Sequence, residues 1–341
     1  MYINFMNEYN KNIYISSWLL LITFLVGLMI VVGGLTRLTD SGLSITKWQL
    51  FSGFLPPLND SDWKTYFNLH KEIPEFKIQN YSMTISEFKI IFWWEWAHRF
   101  LGRLIGVCFL LPLIYFTRIF GFNNLKKLYF IFCLICFQGF IGWYMVSSGL
   151  IDRIDVSHFR LALHLLVAFL IFSLILWNYF KLKNINLSHK KIKSYYPLIF
   201  LILIFCQITI GAFVSGMDAG TIYNSWPLMG ASYFPNDNEL RNLFSLTVFS
   251  DPSLVQFIHR NLAYIIVIYY LILVYKIYKK NLVEYFIPIK IIGMFLLIQI
   301  VLGIFTLLYG ALIYLASMHQ ICSIFLVSSS LYFLYLNKNT N

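Results

Sequence analysis

The chain has 341 residues, of which 59% are hydrophobic and 12% are charged, and its net charge is +11. Its mean hydropathy is +0.70. An average soluble domain carries about 25% charged residues, so this composition excludes disordered chains, collagen-like repeats and disulfide scaffolds. Membrane charge bias explains the positive charge of so apolar a chain better than nucleic-acid binding does. The sequence predicts an all-α membrane protein with no nucleic-acid partner.

Eight apolar runs are long enough to cross a bilayer, which takes about 20 residues. They cover residues 13–36, 90–116, 128–146, 159–180, 195–215, 254–275, 286–309 and 311–336. The first run is too long for a signal peptide and lacks a small-residue cleavage site, so we interpret it as a membrane anchor. The long loop 37–92 is expected to contain short amphipathic helices at the membrane interface.

Basic residues concentrate in alternate connections between the spans. Loop 37–92 holds six bases and six acids, and loop 216–255 holds one arginine against four acids, whereas the connections around residues 118–127, 181–193 and 276–290 are strongly basic. The positive-inside rule therefore places both termini in the cytoplasm and the two long loops outside. All five cysteines lie within spans, so we expect no disulfide in either outer loop.

The second half of the chain echoes the first. The segment 95–99 (EWAHR) matches 256–260 (QFIHR), and Gln138 and Gly142 match Gln299 and Gly303, all at an offset of 161 residues. An even number of spans per repeat gives both repeats the same orientation. We therefore predict two pseudo-symmetric four-helix bundles, residues 1–180 and 195–341, joined by a cytoplasmic linker at 181–194.

Four of the seven histidines lie within apolar spans, at His98, His164, His259 and His319. Each is about five to eight residues from the predicted outer end of its span, or about 8–12 Å at 1.5 Å per residue. A lone histidine in a span usually hydrogen-bonds a neighbouring helix, but four at matched depth favour metal ligation. Two facing imidazoles in a four-helix bundle can hold a haem by both axial positions.

Four arginines accompany the histidines in the same outer layer: Arg99, Arg103, Arg160 and Arg260. A haem carries two propionates, and a guanidinium binds carboxylates bidentately. Each arginine could instead extend to lipid phosphates or to water.

Glu95 distinguishes the two halves. It precedes His98 by three residues and shares its helix face, whereas the corresponding residue of the second half is Gln256. A buried carboxylate can take a proton, stabilise a cation or orient water in ways that an amide cannot. This difference favours a reactive site in the first half, although Glu95 could also serve only to pair with Arg99.

Taken together, these residues resemble the heme A synthase family. The resemblance rests on residues 33–44 (GGLTRLTDSGLS) with Trp48, on 95–99 with Gly102 and Arg103, on 156–164 (VSHFRLALH), and on 218–220 (DAG) with 223–229 (YNSWPLM). It covers nearly the whole chain. The predicted outer loops contain no cysteines, and in this respect the chain resembles the branch of the family found in mitochondria and alphaproteobacteria. Because residues 1–12 show no evident transit peptide, the expected location is a bacterial inner membrane.

The resemblance implies an enzyme that oxidises the C8 methyl group of haem O to a formyl group by successive hydroxylations, giving haem A for cytochrome c oxidase. It also implies that His259 and His319 ligate a resident haem b, that His98 and His164 face the substrate haem, and that Glu95 is the essential carboxylate. The partners it implies are haem O as substrate, a haem O synthase, an electron donor and the lipid bilayer. The oligomeric state, which could be a homo-oligomer, is left open.

Two other functions remain open from the residues alone. A membrane cytochrome b would share the bis-histidine bundles but would only transfer electrons and would have no use for Glu95. A transporter or haem-handling assembly factor could be built from parallel repeats, but it would show no haem absorption spectrum.

Overall fold

The structure, a computed structural model, describes residues 2–49, 52–183 and 191–338. Within these residues there are ten α-helices: α1 (Tyr2–Leu38), α2 (Asp60–His70), α3 (Pro74–Ile78), α4 (Ile85–Phe120), α5 (Phe122–Asp152), α6 (His158–Lys183), α7 (Tyr195–Gly216), α8 (Pro252–Lys279), α9 (Phe286–Leu308) and α10 (Ile313–Lys338). Residues 184–190 of the predicted linker lie outside the described residues.

Eight of the helices in the described chain, α1 and α4 to α10, are long and apolar enough to cross a membrane. The prediction of an all-α, multi-pass membrane protein is thus confirmed. All five cysteines are free thiols within these helices, as expected: Cys108, Cys133, Cys136, Cys206 and Cys322.

Most helices extend beyond the predicted spans, for example α5, which covers Phe122–Asp152 where 128–146 was predicted. Two of the differing helix starts have a local cause. Helix α4 begins at Ile85 rather than near residue 90, because Thr84 and Glu87 form a capping box in which the Thr84 N–H donates to the Glu87 carboxylate at 2.7 Å. Helix α10 begins at Ile313 rather than 311, because Gly310 and Ala311 have φ angles of 65° and 59°. Such left-handed residues end a helix.

Large apolar side chains lie exposed on the outside of the bundle. Leu111 and Tyr115 on α4, Ile268 on α8 and Leu297 on α9 are 59% to 64% exposed. Such a surface is unfavourable in water, because apolar hydration costs free energy in proportion to area. Lipid tails provide the matching environment.

Helix contacts follow the same scheme in both halves. Helix α1 packs on α4 and α6, which α5 bridges, and helix α7 packs on α8 and α10, which α9 bridges. The first and fourth helices of the two sets, α1, α6, α7 and α10, pack together where the halves meet. The division into two bundles at residues 180 and 195, their pseudo-symmetry and the cytoplasmic termini stay predictions.

Arg37, in the last turn of α1, connects the two halves. Its guanidinium donates to Asp40 at 2.6 Å and to Asp218, beyond α7, at 2.9 Å. Gln320 on α10 makes a second link, because its amide donates to the backbone carbonyl of Ile30 on α1 at 2.8 Å. Two polar contacts therefore connect the two halves, one beyond the C-terminal ends of α1 and α7 and one between α1 and α10.

The loop before α4 carries the short helices α2 and α3, which confirms the short helices predicted there. Trp63 and Phe67 of α2 are buried against Phe88 and Phe92 of α4, and the Trp63 and Phe92 rings meet edge to face with centroids 5.0 Å apart. This aromatic contact anchors the loop over the outer end of α4. Its position at the lipid interface stays a prediction.

Candidate functional site

A cavity of about 1420 Å³ lies among the helices of both halves. All four histidines of the spans line it, and so does Glu95. A pocket for one small ligand typically measures about 300–1,000 Å³. The cavity therefore has room for more than one ligand of that size.

His98 on α4 and His164 on α6 lie opposite each other in the first half. Their ring centroids are 6.4 Å apart, with an angle of 45° between the planes. Two bonds of about 2.0 Å from a metal to the imidazole nitrogens, with about 1.1 Å from each nitrogen to its ring centre, would separate the centroids by about 6.2 Å. The Nδ1 atoms of both rings are buried without a hydrogen-bond partner among the described residues. The pair therefore fits a haem iron held from both sides.

Each of the four rings lies against a glycine of a neighbouring helix. A Cβ atom built on Gly33, Gly142, Gly211 or Gly303 would lie 2.8, 3.1, 3.1 or 3.0 Å from the Cε1 atom of His98, His164, His259 or His319, respectively. Any side chain at these glycines would push the ring away, because packed interiors leave no spare volume. The same local arrangement thus positions all four histidines.

Glutamines hold the two rings of the second half. His319 Nδ1 lies 3.0 Å from the backbone carbonyl of Gln299. Because a carbonyl only accepts, Nδ1 carries the proton and Nε2 carries the lone pair, as in a histidine that ligates a metal through Nε2. The Gln299 amide meets this Nε2 at 3.2 Å. Gln207 similarly lies 3.3 Å from His259 Nε2 and donates to the His259 carbonyl at 3.0 Å.

Glu95 is 2% exposed, and both oxygens of its carboxylate accept hydrogen bonds. Oε1 accepts from Arg99 Nε at 3.0 Å and from Nη2 at 2.6 Å. Oε2 accepts from the Ser44 hydroxyl at 2.8 Å and from the Ile45 N–H at 2.6 Å. This set of donors suits an ionised carboxylate. The pairing with Arg99 is observed, and it fixes a negative charge in the cavity wall.

In the second half, Gln256 and Arg260 are bonded to a loop in a similar way, but there the residue at the Glu95 position donates the hydrogen bond and the loop accepts it. Gln256 donates to the backbone carbonyl of Tyr223 at 3.3 Å, and Arg260 donates to the carbonyls of Tyr223 and Ser225, both at 2.9 Å. The first-half loop offers N–H and O–H donors to a carboxylate, whereas the second-half loop offers a carbonyl to an amide. The difference between Glu95 and Gln256 therefore matches the hydrogen bonds that each loop can make.

The four arginines take different positions. Arg99, Arg103 and Arg260 line the cavity, and Arg103 Nη2 donates to the backbone carbonyl of Gln49 at 2.8 Å. Arg160 is not among the lining residues. Its guanidinium donates to Ser148 and lies 4.7 Å from the centre of the Tyr144 ring. The structure thus brings three of the four arginines to the histidine layer of the cavity.

Polar residues that the sequence patterns did not single out also line the cavity, among them Arg37, Glu75 and Gln207. Gln207 lies four residues before Gly211 on α7, so its position on the helix face behind His259 could have been recognised. Arg37 lies within the segment 33–44 that carries the family resemblance, but that resemblance implies no role for the arginine. Glu75 lies in the outer loop, where no spacing signal connects it to the spans.

Replacing Gly33 by alanine should displace the His98 ring. The new Cβ would lie 2.8 Å from Cε1, closer than carbon atoms approach, so the ring must leave its position. We expect weaker haem binding by the first-half pair in a spectroscopic titration of the purified protein. Gly27→Ala on the same helix is the control, because its Cβ would make an ordinary contact of 3.7 Å with Phe172. Equal affinity in the two variants would contradict the prediction.

Comparisons with known proteins cover almost the entire chain. The family model COX15-CtaA, described as cytochrome oxidase assembly protein, matches residues 16–331. A protein named heme A synthase from Pelagibacter ubique (strain HTCC1062) is 48% identical over 340 residues, which is 99% of this chain and 100% of the relative. Relatives of the same name from Rickettsia bellii (strain RML369-C) and Flavobacterium johnsoniae are 44% and 41% identical, over 96% and 97% of this chain and 99% of each relative. The predicted resemblance is confirmed: the chain belongs to the COX15-CtaA family of cytochrome oxidase assembly proteins.

Proposed function

We propose that this protein is a heme A synthase, which oxidises the C8 methyl group of haem O to a formyl group in the bacterial inner membrane. The observation that carries the proposal is the cavity lined by two histidine pairs and by Glu95 with its ion pair to Arg99. Relatives named heme A synthase, 40% to 48% identical to this chain, support it. The reaction product, haem A, would serve cytochrome c oxidase.

His259 and His319 are proposed to hold a resident haem b. Their rings lie against Gly211 and Gly303, and the Nε2 lone pair of His319 is directed by the bond from Nδ1 to a backbone carbonyl. Arg260 lines the same cavity, and its bonds to carbonyls leave its positive charge available to a propionate. A haem bound there would supply an electron relay.

His98 and His164 are proposed to position the substrate haem O. Their spacing of 6.4 Å suits axial contact from both sides. Arg103 borders this part of the cavity and offers positive charge to a substrate propionate. The predicted role of Arg99 toward a propionate would have to be shared with its ion pair to Glu95. The predicted role of Arg160 would require its guanidinium to leave Tyr144.

In the proposed reaction, Glu95 provides fixed negative charge. Positive charge develops at the methyl carbon as electrons are withdrawn, and a nearby carboxylate stabilises it. Because the bonds from Arg99, Ser44 and Ile45 already orient Glu95, little reorganisation is needed in the transition state. In each of two successive hydroxylations, one water molecule adds at the carbon, and two protons and two electrons leave, the electrons to an external electron acceptor. The resulting gem-diol loses water to give the formyl group.

Pigment extraction tests the proposed function. Cells that supply haem O and express the protein should accumulate haem A or its hydroxylated intermediate, identified by chromatography and mass spectrometry. Cells with an empty vector are the control. Recovery of unchanged haem O, together with a bound haem spectrum, would contradict the synthase and would favour an electron-transferring cytochrome b. A haem O synthase that supplies the substrate is one partner that this function requires. Because hydroxylation with water releases electrons, the redox partner must be an electron acceptor in this reaction, in place of the expected electron donor.

A further inference from the structure

A second buried carboxyl group borders the cavity from the outer loop. Glu75 on α3 is 3% exposed and lines the cavity. Its Oε1 accepts a hydrogen bond from the Asn80 amide at 3.1 Å. Its Oε2 is buried and has no hydrogen-bond partner among the described residues. A carboxyl oxygen in this position is available to exchange a proton with water or a ligand in the cavity.

Glu75 differs from Glu95 in its partners. Glu95 is held as an anion by Arg99 and by two further donors. Glu75 forms no ion pair in the part of the chain that the structure describes. A buried carboxyl without a cation favours its neutral form, because an isolated charge is costly away from water. The two glutamates are therefore suited to different tasks, one to stabilise charge and the other to carry a proton.

The surroundings of Glu75 allow both protonation states. Burial, followed by the negative charges of Asp155, Glu95 and Asp40, raises the pKa of Glu75 to about 8. A group that titrates close to the working pH can both donate and accept protons. His70 of α2, which packs beside the next residue of α3, has its pKa lowered to about 4 by burial, so it is neutral at pH 7.

Further carboxylates connect Glu75 to the outer surface. Asp155, between α5 and α6, is partly exposed and lines the same cavity. Burial and the charges of Asp40 and Asp218 raise the pKa of Asp155, and Arg37 opposes this shift. The side chain of Asp40 is 69% exposed and pairs with Arg37. Glu75, Asp155 and Asp40 thus all line the cavity, and they lie close enough together that the charges of Asp155 and Asp40 affect the pKa of Glu75.

We propose that Glu75 carries protons between the first-half site and the outer aqueous face, with Asp155 as the next group. The inference rests on the proposed function. Hydroxylation with water converts a methyl group and one water molecule into a hydroxymethyl group, two protons and two electrons. The two electrons go to the external electron acceptor of the synthase reaction. For each proton, the O–H bond of the Glu75 acid breaks, the proton passes to Asp155 through water, and the carboxylate left behind accepts the next proton from the site.

Glu75→Gln tests the proposal, because an amide keeps the shape and the bond from Asn80 but cannot exchange protons in this way. We expect haem A formation to fall by about 100-fold, within the range of acid–base contributions, with an unchanged spectrum of the bound haem. Wild-type turnover should rise as the pH approaches 8 and the carboxylate forms, and the variant should lose this rise. The matched control is Glu72→Gln in the same loop, since Glu72 is 78% exposed and pairs with Lys77. Its rate and pH profile should equal those of the wild type.

A measurement that needs no turnover completes the test. Infrared difference spectra over a pH titration should show the band of a protonated carboxyl group that disappears near pH 8 in the wild type and is absent from Glu75→Gln. Glu75→Asp, which remains protonatable, should restore part of the activity and its pH dependence. Wild-type kinetics and spectra in Glu75→Gln would overturn the proton-carrying role and leave the synthase intact. Absence of haem A formation by the wild type would instead contradict the proposed function.

Discussion

Alanine in place of His259 or His319 is expected to remove the resident haem and, with it, synthase activity. Each ring sits against a glycine, Gly211 or Gly303, so no neighbouring side chain at that position can replace the lost ligand. Mutations of residues that only orient a metal ligand lower metal affinity by about 10–100-fold. Loss of the ligand itself should lower the affinity by more than this. The measurement is the haem content and absorption spectrum of the purified protein.

Variants of the first-half pair provide the comparison for this prediction. His98→Ala and His164→Ala should keep the spectrum of the resident haem but fail to convert haem O. His158→Ala is the neutral control, because its ring bonds the Phe249 carbonyl at 3.0 Å and is not among the residues that line the cavity. Full haem content after loss of either second-half histidine would disprove the proposed ligand set.

Glu95→Gln is expected to lower haem A formation by about 100- to 1,000-fold, the usual effect of removing one preorganised electrostatic group. The amide removes the negative charge. It also replaces one carboxylate oxygen with an NH2 group. Both oxygens of Glu95 accept hydrogen bonds, one from Arg99 and the other from Ser44 and Ile45, so the NH2 group would face donors that it cannot accept from. Steady-state production of haem A from haem O measures the effect.

Two further variants separate the effect of the Glu95 charge from the effect of its hydrogen bonds to the loop. Ser44→Ala removes one donor and keeps the carboxylate, so the rate should fall by less than about tenfold, as for one hydrogen bond of about 1 kcal/mol. Gln256→Ala removes the hydrogen bond from Gln256 to the Tyr223 carbonyl in the second half. It should change the spectrum of the resident haem more than the rate of haem A formation. A Glu95→Gln enzyme that folds, binds haem and works at the normal rate would exclude the electrostatic role.

The eight spans could be predicted because the bilayer imposes a length of about 20 apolar residues and requires each backbone group to be satisfied within its helix. The four histidines were recognisable for a related reason, since an ionisable side chain in such a run is costly and therefore conspicuous. Helix ends were less predictable. The start of α4 depends on one capping pair, Thr84 and Glu87, and the start of α10 on the left-handed turn at Gly310 and Ala311.

The sequence by itself determined the fold class, the family and the residues that mark the two halves, because these depend on composition and on local spacing along a helix. Only the tertiary structure decided which groups surround those residues. Gly33 meets His98 across 65 positions of chain, the partners of Glu95 come from a loop about 50 residues away, and Glu75 reaches the cavity from an outer helix. Such contacts depend on how loops fold back over helices, and the hydrophobic periodicity of the sequence does not determine that arrangement.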